Sequence, residues 1–149
     1  MALFFWVQFQ TNEFKSGLEQ TLRYYSTNPV MWVREAAAVL NECLASVEPP
    51  VDYAHDLFSS RPLACLTKEM KKTLAALLDE AGPAARQAGY EALVANLAYD
   101  LAKSTGANVN GYLILIQMMA ETSPQLALSN VKRVADLIHS YQVSCVLCI

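Results

Sequence analysis

Charge, histidine and glycine are all scarce in this chain, and each scarcity removes a class of function. Charged residues make up 17% of the 149 positions and sum to a net charge of −3, so the clustered basic excess of a nucleic-acid binder is missing. Five glycines are scattered singly, and no glycine-rich phosphate loop or glycine-framed nucleophile occurs. Two histidines, His55 and His139, leave little for acid–base or metal chemistry. No apolar run reaches the roughly 18 to 20 residues that a bilayer requires, the longest being "MALFFWVQFQ" at the start and "YLILI" further on. The opening run also lacks a basic flank and a cleavage site, and no N-glycosylation sequon occurs. These features predict an intracellular chain with no transmembrane segment and no nucleic-acid partner, cytoplasm and nucleus being indistinguishable.

What is abundant is apolar surface, 54% of residues, arranged with a helical rhythm. Val33, Ala36, Ala37, Leu40, Leu44 and Val47 recur at three- and four-residue steps after an Asn28-Pro29 start that suits an N-cap and a first helical position. Pro49 and Pro50 end that helix. Upstream, Phe14, Leu18, Leu22 and Tyr25 mark another helix, which reaches back to Leu3 unless Thr11 and Asn12 interrupt it. Met70, Leu74, Leu77 and Leu78 define a third, closed by a Gly82-Pro83 turn, and Tyr90, Leu93, Val94, Leu97, Ala98 and Leu101 a fourth. Residues Asn110 to Glu121 are apolar on nearly every side, as in a buried helix. After Ser123-Pro124 the apolar face is expected to comprise Ala127, Val131, Val134, Ile138 and Tyr141.

No segment sustains the alternation of a strand, so the chain is predicted to be all-α. The expected architecture is a single domain over residues 1–149 of about six or seven helices. Antiparallel hairpins at roughly 12–48, 66–104 and 109–142 stack as a short α-solenoid, with an irregular connection at 48–65. The alternative is a closed helical bundle.

Prolines 29, 83 and 124 fall 54 and 41 residues apart, bracketing the roughly 40 to 47 of two-helix repeats. "NPVMWVREAAAVL" in particular, with Pro29, Trp32, Val33, Arg34 and Ala36 to Ala38, resembles the turn and second helix of a HEAT or armadillo repeat. The resemblance implies that the alanines let neighbouring helices approach closely and that Arg34 bonds to the turn of an adjacent unit. It also implies a protein-interaction scaffold. Apolar residues crowd both ends, Leu3 to Phe9 and Val143 to Ile149. They are expected to fold back onto the stack, to meet a partner or a second copy, or to join a longer array.

Candidate sites are few. Cys145 and Cys148 share the spacing of redox and half-zinc motifs, but no second ligand pair accompanies them, and they are weak metal candidates. Asp52, His55 and Asp56 crowd one short stretch without a glycine-framed nucleophile. No cofactor is expected, and the chain is read as a non-enzyme. Lys68, Lys71 and Lys72 share one helical face and can meet an acidic partner. Phe5, Trp6 and Trp32 are the aromatic candidates for partner contact. The expected function is a protein–protein interaction scaffold or adaptor, which could be part of a larger complex subunit. The alternative is a bundle that holds an apolar ligand or an amphipathic partner helix.

Overall fold

The computed structural model describes residues 2–45, 63, 66–103 and 108–141, with the backbone alone for residues 2–10, Ile138 and Tyr141. These residues form five α-helices: α1 (Ala2–Tyr24), α2 (Pro29–Ala45), α3 (Lys68–Lys103), α4 (Asn110–Thr122) and α5 (Pro124–Tyr141). Among the described residues there is no strand, and the fold class is all-α.

α1 runs unbroken through Thr11 and Asn12 because Thr11 lies on the inward face with Phe14 and Leu18 and is itself buried. At its end the Tyr25 carbonyl accepts from the Asn28 N–H (2.9 Å) and from the Trp32 indole Nε1 (2.7 Å). One oxygen thus serves two donors, and the indole of α2 is bonded to the end of α1. Trp32 is half-buried and packs on the core.

α2 is central, packing against α1, α3 and α4. Its buried face is Val33, Ala36, Ala37, Leu40, Cys43 and Leu44, the expected stripe apart from Val47, which lies outside the described residues. α3 begins with Thr67 Oγ1 accepting from the Met70 N–H at 3.1 Å, an N-cap bond. It bends at Gly82 (φ 84°, ψ 169°), a backbone setting that side chains on Cβ disfavour. Pro83 then opens the second arm without sacrificing a helical donor.

The crossing of α4 over α2 is tight. The Gly111 N–H donates to Asn41 Oδ1 at 2.6 Å, and Asn108 Nδ2 reaches the Asn41 carbonyl at 3.3 Å. A side chain on α2 thereby satisfies an otherwise orphaned donor in the first turn of α4. Ile114, Leu115, Met118 and Met119 follow on the buried face.

α5 departs from expectation in its rotation. Asn130 is buried with Leu126, Ala127, Val134 and Leu137 partly covered, whereas Val131, expected inside, is 58% exposed and Leu128 66%. Asn130 Nδ2 donates to the Leu126 carbonyl at 2.7 Å, so its polarity is satisfied within its own helix and its burial carries little penalty. Arg133 pairs with Glu91 of α3 at 2.7 Å, which fixes the same rotation.

Candidate functional site

Three- and four-residue steps place Lys15, Leu18, Glu19 and Leu22 on one side of α1. The same arithmetic gathers Glu69, Lys72, Thr73, Ala76, Leu77 and Glu80 on the first arm of α3. The two rows face each other across a groove of about 530 Å³. Leu18 and Leu77 are buried in its floor, Leu22 is half-buried, and Ala76 is exposed. Lys15 forms an ion pair with Glu69, linking the walls. Both side chains are partly exposed, so the pair orients the walls more than it stabilises them. Thr73 turns its hydroxyl back to the Glu69 carbonyl at 2.9 Å, leaving the groove lining with an apolar floor and a charged rim.

Of the candidates named from sequence, Lys72 lies in this lining, while Lys68 and Lys71, on the same helix, do not. Trp32 sits elsewhere, bonded to Tyr25. Phe5 and Trp6 belong to α1, but their side chains fall outside the described residues, as do Asp52, His55, Asp56, Cys145, Cys148 and the apolar C-terminal stretch. Sequence reasoning missed Glu19, Leu22 and Glu80. Their spacing is legible, but that α1 lies beside the first arm of α3 is not.

A smaller depression of about 350 Å³ between α1 and α2 is lined by Glu13, Gly17, Glu42 and Cys43, among others. Burial pushes the Cys43 thiol up from its ordinary 9.0 to about 11, with Glu13 and Glu42 adding to the rise. This thiol is poorly suited to nucleophilic work, since the thiolate is the reactive form. At pH 8, Cys43 in the folded protein is expected to react with iodoacetamide about a hundredfold more slowly than after unfolding. Peptide mapping by mass spectrometry checks this, and equal rates in the two states would contradict it. The sign of the pH effect follows: the neutral thiol favours the fold fully below pH 9, and its contribution is lost as pH rises toward 11. Among the described residues, no group of three or more His, Cys, Asp or Glu is arranged to hold a metal ion.

The groove thus combines an apolar floor and a charged rim on an all-helical frame. Residues 6–149 match the family described as TMEM214, C-terminal, caspase 4 activator. The chain belongs to that family. It is similar to transmembrane protein 214-B of Xenopus laevis, 28% identical over 131 residues that cover 87% of this chain and 19% of the relative. It is also similar to transmembrane protein 214 of Rattus norvegicus, 25% identical over 128 residues (84% and 18%), and of Homo sapiens, 24% identical over 133 residues (87% and 19%). The chain thus spans about a fifth of the length of the curated relatives it matches. No solved structure matches.

The TMEM214 match corrects several expectations. The HEAT or armadillo resemblance is overturned by a match to a different family that runs through nearly the whole chain. The misleading features have a local cause. Pro29 opens α2, Ala36 and Ala37 are buried along it, with the Ala37 carbonyl against Gly111, and Arg34 reaches Met31 Sδ of its own helix at 3.8 Å. A clean start and small residues at a close crossing serve helix packing in general, so the pattern is not specific to repeats.

The expectations of an intracellular chain and of partners without a transmembrane segment are also corrected, because the TMEM214 relatives are named transmembrane proteins. No helix of the described residues is long and apolar enough to cross a membrane. The family description is of an activator of caspase 4.

Proposed function

We propose that this chain is the protein-docking part of a membrane-anchored TMEM214-family protein, and that it contributes to caspase 4 activation by binding rather than by catalysis. The observation that carries this reading is the groove between α1 and the first arm of α3, with Leu18, Leu22 and Leu77 below and Lys15, Glu19, Lys72 and Glu80 around it. Apolar anchors within a polar rim are the usual anatomy of a protein interface. The family description as a caspase 4 activator supports caspase 4 as the partner, and the relatives' names support the membrane anchor. Residues 1–149 act in this reading as one unit, and Lys68, exposed on α3, lies outside the groove lining.

Binding and catalysis differ in stoichiometry. Titrating the purified chain into purified caspase 4 is expected to give saturable binding, with caspase activity rising until the two are equimolar and then levelling off. Calorimetry and a fluorogenic peptide assay read the two curves. Absence of binding would overturn the proposal, and full activation by trace amounts of the chain would replace docking with catalysis.

A further inference from the structure

We infer that the groove between α1 and the first arm of α3 receives an amphipathic helix whose apolar face is flanked by basic residues. This inference deepens the docking reading above and rests on it. Both walls are α-helices, whose interior backbone groups bond along their own chain, so the groove offers no ladder for an extended peptide. A helix brings its own backbone bonds satisfied and presents only side chains, which is what an all-helical groove can accept.

The dimensions agree. Lys15 to Leu22 on one wall extends about 10 Å, and Glu69 to Glu80 on the other about 16 Å, at ~1.5 Å per residue. That is two to three helical turns, enough for anchors at i, i+4 and i+7 of an incoming helix over Leu22, Ala76 and Leu77. A volume of about 530 Å³ leaves room for several such side chains.

Charge then chooses among helices. Lys15 and Glu69 are engaged with each other. Among the described residues, the rim charges left without a partner are the carboxylates of Glu19 and Glu80 and the ammonium of Lys72. Two acids against one base give the rim a net negative bias, so basic flanks on the visitor are attracted and acidic flanks repelled. An acidic residue near the middle of the visiting helix would meet Lys72.

Two fluorescein-labelled helical peptides provide the probe, each of about 20 residues so that the helix persists in water. Both carry the same leucine stripe, one with lysine flanks and the other with glutamate flanks. By fluorescence anisotropy on the full chain, the lysine peptide is expected to bind at least about fivefold more tightly at low salt, with the difference shrinking as salt is added. The double variant Glu19→Lys/Glu80→Lys should reverse the order, while Lys72→Glu should widen it. All three positions are exposed, so circular dichroism is expected to show unaltered folding.

Equal affinity for the two peptides, an order unchanged in the double variant, or no binding of either would overturn the inference. Caspase 4 bound equally by wild type and the double variant would remove the groove while leaving the caspase reading intact. Peptide discrimination without caspase 4 binding would do the reverse.

Discussion

Phe14→Ala is expected to cost about 3–5 kcal/mol of folding stability and to lower the melting temperature by about 10 °C or more. Phe14 is fully buried, the largest such side chain among the described residues of α1, and belongs to the central apolar cluster. Removing its ring subtracts transfer free energy and leaves a void that the surrounding helices fill only in part. Because a domain of this size is stabilised by only about 5–15 kcal/mol in total, the loss is a large share. It also has a functional consequence, since Phe14 lies on α1, one wall of the groove. Leu128→Ala on the exposed side of α5 is the control, expected to change stability by less than about 0.5 kcal/mol. Urea titration followed by circular dichroism compares the two. A Phe14→Ala loss under about 1 kcal/mol would mean that α1 is not docked through this residue.

The second large effect is expected from a single added methyl group. In Gly111→Ala the new Cβ would lie 2.3 Å from the Ala37 carbonyl oxygen and 2.7 Å from Asn41 Oδ1. The carbonyl belongs to the backbone of α2 and cannot rotate aside, so α4 must move away as a body. That movement stretches the bond from the Gly111 N–H to Asn41 and loosens the packing of Ile114, Leu115 and Met119. Overpacking alone costs about 1–3 kcal/mol, and weakening the part-buried hydrogen bond adds about 1 kcal/mol. A loss of about 2–4 kcal/mol is therefore expected, readable by thermal denaturation. Unchanged stability would show that α2 and α4 are less closely crossed than described.

Local signals in the sequence carried much of this fold. Asn28-Pro29 and the stripe from Val33 to Leu44 place α2, and Gly82-Pro83 places the bend in α3, because capping, proline geometry and apolar spacing act within one helical segment. What those signals could not carry is which helices become neighbours. Asn41 and Gly111 are 70 residues apart and Lys15 and Glu69 are 54 apart. Each pairing depends on how whole helices pack, and the groove exists only because of such a pairing. The rotation of α5 was hidden for a different reason. Apolar spacing argued for Val131 inside, yet Asn130 could be buried because its amide bonds to the turn before it, and the ion pair of Arg133 with Glu91 favoured that orientation. Lys72 was legible as a candidate contact, whereas its neighbours Glu19 and Glu80 gained meaning only from the juxtaposition of α1 and α3. The repeat resemblance failed because proline starts and small residues at crossings answer to helix packing in general.

Hydrogen exchange of the chain with and without purified caspase 4 tests the docking account most directly. Amides of an occupied helix pair open less often and exchange more slowly. The account predicts slowed exchange concentrated in peptides covering residues 15–22 and 69–80, and its loss in the Glu19→Lys/Glu80→Lys variant. Protection confined to the outer face of α5, or no change anywhere in the chain, would contradict it.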